Sequence, residues 1–308
     1  MNPNVVEAIR KSAAVPSMPQ VVTRFLEVIQ DPNFDYNSVV KVLSVDAGTV
    51  SEILRLSNSA LFGVSRKVTS LKQALTLLGP RRTRSLVLGR YLVEAIGDNC
   101  GGALDTSYYW RRSLSAGVIA ARISDKACPR LRDEAFLTGL LADIGVAILS
   151  QAMGDKYEPI VSQYTPHGSP YTEQDEQKLV DTSHSEVSAM VLSEWGLPEA
   201  MCDAVKESHN NEIDVTDNAS QMARVVNASD RIAKILCEIP DVNTCVETCA
   251  KAVAFSGVEL TDLVEILDSV ESDVEELASV LKIDVIPSAV YEKIAHAIRE
   301  QLSVATGS

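Results

Sequence analysis

Phe136-Leu137-Thr138-Gly139-Leu140-Leu141-Ala142-Asp143-Ile144-Gly145 is the stretch whose reading decides the fold. Leu137, Leu140, Leu141, Ile144 and Ile148 recur at helical spacing, and Val146 and Leu149 make the opposite side apolar as well. A helix apolar all round is a buried helix, so the spacing predicts one running through Asp143. A carboxylate there is costly unless it is paired, hydrogen-bonded or bound to a metal. The role of Asp143 is therefore the question the rest of the chain must answer.

The chain has 308 residues, of which 46% are hydrophobic, enough to build a large core in one to three domains. No run reaches the roughly 18 uninterrupted apolar residues of a membrane span, and Met1 to Met18 lacks the basic-then-apolar layout of a signal peptide. These features predict a cytoplasmic protein with no membrane contact. Cys100, Cys128, Cys202, Cys237, Cys245 and Cys249 form no CxxC pair, and Cys245-x3-Cys249 supplies half of a four-ligand site at most, so reduced, buried thiols are expected. The net charge of −14 argues against nucleic acid as a general partner. That charge is uneven: residues 1–100 hold 12 Lys+Arg against 8 Asp+Glu, and the remaining 208 hold 16 against 34.

Nearly every periodic segment reads as helix, and alternating β-branched runs are scarce, so the fold class is all-α. Val21, Val22, Phe25, Leu26 and Ile29 mark one helix ended by Asp31-Pro32. Ser38 opens a short one, and Asp46 can cap the next, with its stripe of Val50, Ile53, Leu54 and Leu56. Leu71 to Leu78 is stopped by Gly79-Pro80, and Arg81-Arg82-Thr83-Arg84 leads into Leu86 to Ile96. Gly97-Asp98-Asn99 with Gly101-Gly102 reads as a flexible joint, giving an N-terminal lobe of residues 1–100, a second lobe of 101–240 and an acidic helical extension of 241–308. Within the second lobe, Ser113 to Ile123 is rich in Ala and Gly that permit close helix contact. Residues 154–182 are polar and interrupted, with Tyr157, Tyr164 and Tyr171 as anchors. Ser183-His184-Ser185-Glu186 has the form of a capping box, and further helices cover Glu199 to His209, Met222 to Cys237, Asp262 to Leu267 and Ala289 to Leu302.

Four segments together resemble the HDOD domain family, regulatory relatives of the HD phosphohydrolases found in bacterial signalling proteins. They are Leu54-Arg55-Leu56-Ser57-Asn58-Ser59-Ala60-Leu61-Phe62-Gly63, Thr69 to Gly79 with Arg81-Arg82, Phe136 to Gly145, and His184 to Pro198 with its Trp195-Gly196-Leu197-Pro198. The resemblance spans roughly residues 15 to 213 and implies an N-terminal helical lobe packed on an HD-like lobe. HD phosphohydrolases hold a divalent metal with a His, a His-Asp pair and a later Asp, the metal supplying a nucleophilic water and charge neutralisation. Laid on this chain, the first His falls at Arg112, the His of the pair is Ala142, its Asp is Asp143 and the later Asp matches Asp230.

The loss of both imidazoles implies a non-catalytic protein that needs no cofactor. A guanidinium can pair with a carboxylate where a metal would sit, so Asp143 is expected to be satisfied by Arg112 or by backbone N–H groups. Asp230 is expected to pair along its own helix with Lys234 or Arg231. HD-GYP phosphodiesterases resemble this family and use additional histidines, which makes a rescued metal site of Asp143, His184, His209 and Asp230 the alternative reading. On their own positions, however, His184 and His209 read as polar residues at helix ends, His167 as a loop residue and His296 as remote.

The third reading is DNA binding by the N-terminal lobe. Val39 to Leu43 and Thr49 to Ser57 are spaced like a helix-turn-helix, with Arg55 on the second helix and Arg66, Lys67, Lys72, Arg81, Arg82, Arg84 and Arg90 following. Glu52 beside Arg55 leaves the reading helix without a basic excess, so nucleic acid remains the weaker choice. Arg81, Arg82 and Arg84 are expected to form a polar face or dock onto acidic groups. They are also where an anionic ligand such as a nucleotide would bind, because they precede a helix start. The expected partner is a protein of a bacterial signalling pathway.

Overall fold

The computed structural model describes residues 2–12, 14–15, 17–31, 33–61, 67–97, 103–166, 171–238, 241–286 and 296–300. Among them no strand occurs. Cys100, Phe62-Gly63, Arg66, His167, most of the Gly97 to Gly102 joint and most of the Ala289 to Leu302 helix lie outside these residues.

The N-terminal part consists of α1 (Pro3–Lys11), α2 (Gln20–Gln30), α3 (Tyr36–Leu43), α4 (Ala47–Ser57) and α5 (Leu71–Gly97). Asp46 caps α4 as its position predicts, accepting from the N–H groups of Gly48 and Thr49 at 2.8 and 3.2 Å. The cap of α3 is Asp35 rather than Ser38, because an acid one residue before the helix reaches its free N–H groups directly. The stop at Gly79-Pro80 turns out to be a kink. Gly79 takes φ 74°, open to glycine at little cost, and the chain resumes helical geometry at once. Phe25, Leu43, Ile53, Leu75 and Val87 are fully buried where these helices meet.

The second part contains α6 (Thr106–Ala127), α7 (Arg132–Leu141), α8 (Ile144–Met153), α9 (Glu158–Val161), α10 (Glu173–Val180), α11 (His184–Glu194), α12 (Glu199–Lys206) and α13 (Asn218–Cys237). The tight crossing of α6 on α7 follows from two glycines: a Cβ at Gly139 would lie 2.9 Å from the Ala116 carbonyl oxygen, and one at Gly117 would lie 3.0 Å from that of Phe136. The single helix expected through Asp143 is corrected to two, α7 and α8, with Ala142 and Asp143 in the turn between them. Backbone hydrogen bonding resumes with the Val146 N–H donating to the Asp143 carbonyl at 3.0 Å. The polar stretch read as irregular contains α10, whose capping box uses Thr172 and Asp175.

Residues 129–156 form a helical run long and apolar enough to cross a membrane, yet 78% of its most apolar window is buried inside the fold. It is the centre of the core, with Leu140, Leu141, Ile144, Val146 and Leu149 enclosed. Helices α14 (Val242–Ser256) and α15 (Leu260–Leu281) follow. α14 packs on α13, while α15 lies along α6 and reaches α4 and α5 of the N-terminal part.

Candidate functional site

Five elements converge on the turn between α7 and α8. Arg112 stands on the first half of α6, Asp230 on α13, His184 opens α11, and His209 lies just beyond α12. Glu176 of α10 completes the group. The approach of α11 depends on Gly145, where any Cβ would overlap the His184 carbonyl. The Gly145 N–H also donates to the Ser188 hydroxyl at 2.8 Å, tying α8 to α11.

The buried Arg112 guanidinium lies between the two acids. Its Nη2 is 2.9 Å from Asp230 Oδ1 and 3.3 Å from Asp143 Oδ2, and its Nε donates to the same Asp230 oxygen at 3.2 Å. The expected Asp143–Arg112 pair is therefore present as geometry. Asp230 corrects the reading of a surface pair with Lys234 or Arg231: it is 5% exposed and faces Arg112. Lys234 instead places its ammonium 5.9 Å from the Tyr171 ring centre.

Asp143 has a second donor, the Tyr164 hydroxyl, at 2.7 Å from Oδ2. Burial raises the Tyr164 phenol well above its ordinary value, so it remains a donor. Burial alone would raise the Asp143 carboxyl too, but Arg112, then His184 and His209, hold it far below the usual carboxylate range. The same logic governs Arg112: burial opposes its charge, while Asp230, Tyr164 and Asp143 keep it protonated well above its ordinary value.

His184 and His209 correct the reading of separate polar helix ends. Their Nε2 atoms are 2.8 Å apart, the rings meet edge to face, and His184 is 3% exposed. Nδ1 of His184 and Glu176 Oε2 are 2.8 Å apart, the His184 N–H donates to the same oxygen at 2.9 Å, and the Tyr157 hydroxyl donates to the other carboxylate oxygen. Burial disfavours charge on His184, yet Glu176 and Asp143 raise it well above the ordinary imidazole value. His209 moves the other way, lowered first by burial and then by the charge of His184. The consistent tautomer is a doubly protonated His184 donating to a neutral His209, whose Nδ1 faces Asp230 Oδ2 at 3.9 Å.

Glu176, Tyr157 and Tyr164 were not anticipated as site residues. The three tyrosines spaced along a polar stretch were the visible signal, since large aromatic rings in such a stretch need a core to enter. Glu176 carried no local mark at all.

The ligating atoms of Asp143, His184 and His209 lie within 4.8 Å of one another, and Asp143 Oδ1, 3.5 Å from His184 Nε2, accepts no hydrogen bond from the described residues at closer range. As arranged, the residues do not fit a divalent cation. The guanidinium against Asp143 and the charged His184 already supply positive charge, and Asp230 is turned to Arg112.

The arginine cluster sits elsewhere. Arg82 Nε is 3.0 Å from Asp133 Oδ1, Arg81 Nε lies 4.0 Å from Glu134, and Arg84 donates to the Gly196 carbonyl at 2.8 Å. Arg55, the proposed base-reading residue, donates to the Ser279 hydroxyl of α15 at 3.2 Å. His296 pairs at 3.3 Å with Glu300, one turn along its own helix.

The described residues thus form an all-helical fold with two histidines, three carboxylates and one buried arginine gathered at the turn of a split central helix. The chain belongs to the HDOD domain family, whose model matches residues 15–211. An HDOD domain protein of unknown function from Geobacter sulfurreducens superposes with a TM-score of 0.66 at 21% identity, covering 90% of this chain and 98% of that one. A candidate phosphohydrolase from Shewanella amazonensis SB2B gives 0.70 at 20% identity, covering 91% and 98%. A candidate signal transduction protein from Marinobacter aquaeolei VT8 gives 0.58 at 17%, covering 90% and 64%. At these identities the likeness concerns the fold. An uncharacterised protein of Treponema pallidum is 22% identical over 204 residues, 64% of this chain but 38% of its own length.

Proposed function

We propose that this protein is a non-catalytic HDOD regulator that acts in the cytoplasm of a bacterium by binding a protein partner. The observation that carries the reading is Arg112, whose buried guanidinium contacts both Asp230 and Asp143, at 2.9 and 3.3 Å. A fixed monovalent cation in that position supplies positive charge to both carboxylates without a metal. Bringing a divalent ion to about 4 Å from it would cost about 4 kcal/mol per unit of charge at an effective dielectric of 20. A regulatory role accords with the HDOD family and with the candidate signal transduction protein that shares the fold.

The test is metal analysis of the purified full chain with a phosphodiester hydrolysis assay in added manganese. The expected result is substoichiometric metal and no turnover. About one manganese, iron or zinc per chain, lost in Asp143→Ala together with hydrolysis, would overturn it. That outcome would establish the second reading, a phosphohydrolase with an altered ligand set, in which Asp143, His184 and His209, whose ligating atoms lie within 4.8 Å of one another, would have to rearrange around the ion.

A further inference from the structure

The described residues also form a cleft that shares no lining residue with the Arg112 cluster. Helix α5 beyond its kink, the segment from Arg130 to Leu137, and the first turns of α12 and α13 line a cleft of about 480 Å³, a size typical of small-molecule sites. Its walls have two characters. Leu137, Leu197, Met201 and Met222 form an apolar surface, and Arg81, Arg84 and Arg130 bring three guanidiniums to the same space, opposed by the single carboxylate of Glu134.

Two of those polar groups are left unfinished. Arg84 is spent only in part, on the Gly196 carbonyl at 2.8 Å, and its buried Nε has no hydrogen-bond partner among the described residues. Glu134 Oε2 is likewise buried and accepts no hydrogen bond from the described residues, its other oxygen being 4.0 Å from Arg81. Buried polar atoms without partners are uncommon in folded chains. Here one cation and one acceptor in this state share a single cleft, and burial lowers the Arg84 guanidinium from its ordinary value, an effect that Glu134 offsets only in part.

We infer that this cleft binds a purine nucleoside monophosphate. Planar guanidiniums match a phosphate bidentately, and three of them around one cavity call for more than a single negative charge. The body attached to that phosphate must be apolar enough to lie on the leucines, and a flat ring gains further from two thioethers. It must also bring an N–H donor for Glu134, which a purine has and an acyl chain lacks. The site deepens the binding role proposed above. It shares no residue with the Arg112 cluster, so the metal analysis and the titration below can fail independently. Arg81 and Arg84 lie in the first turns after the Gly79-Pro80 kink, so occupancy would be felt where α5 of the N-terminal part packs on α7 of the second.

The test is calorimetric titration of the full chain with GMP, AMP and inorganic phosphate, in the wild type and in Arg81→Gln/Arg130→Gln, a pair of exposed residues whose loss leaves the core intact. At least one nucleotide should bind at 1:1, at least tenfold more tightly than phosphate, and weaken at least tenfold in the double variant. Met201→Trp, which fills the cleft from its apolar side, should abolish binding while leaving the melting curve cooperative. Absence of binding by both nucleotides at millimolar concentration, equal affinity for phosphate, or undiminished binding in either variant would overturn the assignment.

Discussion

Replacing Arg112 by Gln removes the only guanidinium between two buried acids and should be among the most damaging single changes in the chain. At an effective dielectric of 20 the contacts at 2.9 and 3.3 Å correspond to attractions of about 6 and about 5 kcal/mol. The cost of desolvating the guanidinium offsets several kcal/mol of this, so the net loss on truncation is about 4 kcal/mol, in the range for stranding a buried charge. For a chain of this size that lowers Tm by roughly 6 °C. The loss must also depend on pH. In the wild type the Asp143 carboxyl is held low, so its contribution is present above the unfolded carboxylate value and lost only as pH falls through the depressed folded value. Without Arg112, burial raises the carboxyl, and proton uptake relieves the stranded charge as pH falls. Urea unfolding at pH 8 and pH 5 measures this, with the penalty larger at pH 8. Arg112→Gln/Asp230→Asn should recover part of the loss. A penalty below about 1 kcal/mol, the same penalty at both pH values, or strict additivity in the double variant would refute the reasoning.

Gly145→Ala drives a methyl group into the His184 carbonyl and should cost about 3 kcal/mol in chemical denaturation, displacing the His184 ring resonances. Imidazole titration by NMR should show His184 keeping its charge well above the ordinary range while His209 stays neutral below it. The stability owed to His184 is fully present below the unfolded imidazole value and lost as pH rises through the raised one, so His184→Gln should flatten the alkaline limb of the Tm profile. Arg122→Gln leaves the buried Asp273 without its partner at 2.6 Å and should cost about 2 kcal/mol, with faster hydrogen exchange along α15 as the local signature.

Much of the helical framework was legible in the sequence because helix formation is a local matter. Period, proline and caps such as Asp46 report the backbone through residues a few positions apart. The split of the central helix was not legible, since Leu140 to Ile148 keeps helical apolar spacing straight through the turn at Ala142 and Asp143. The spacing registers that both segments are buried and is blind to a change of axis between them. Asp230 was misread for the related reason that Lys234 is its neighbour along the helix, whereas its partner is 118 residues away on α6. His184 and His209 each looked like an ordinary end residue. They become a pair because α11 and α12 fold back on one another, and no local pattern encodes the distance between two helix ends. Arg112 came into view only through comparison with a family motif, which carries long-range information in the order of its segments.

Helix α15 bears on how this chain can be shortened or transplanted. From α6, Arg111 and Arg122 reach Glu271 and Asp273, and Lys126 lies 2.9 Å from both Asp262 and Glu265. From the N-terminal side, Lys282 lies 2.8 Å from Glu52 and the Ala60 N–H donates to Glu276 at 3.0 Å. The residues that match the family model end at 211, yet this later helix fastens both parts of the matched region. A fragment cut at the family boundary would therefore carry acid-stripped cations on α6 and a loosened joint between its halves. A portable form of the module has to run at least through Lys282, and its boundary is set by charge pairing rather than by the extent of sequence likeness.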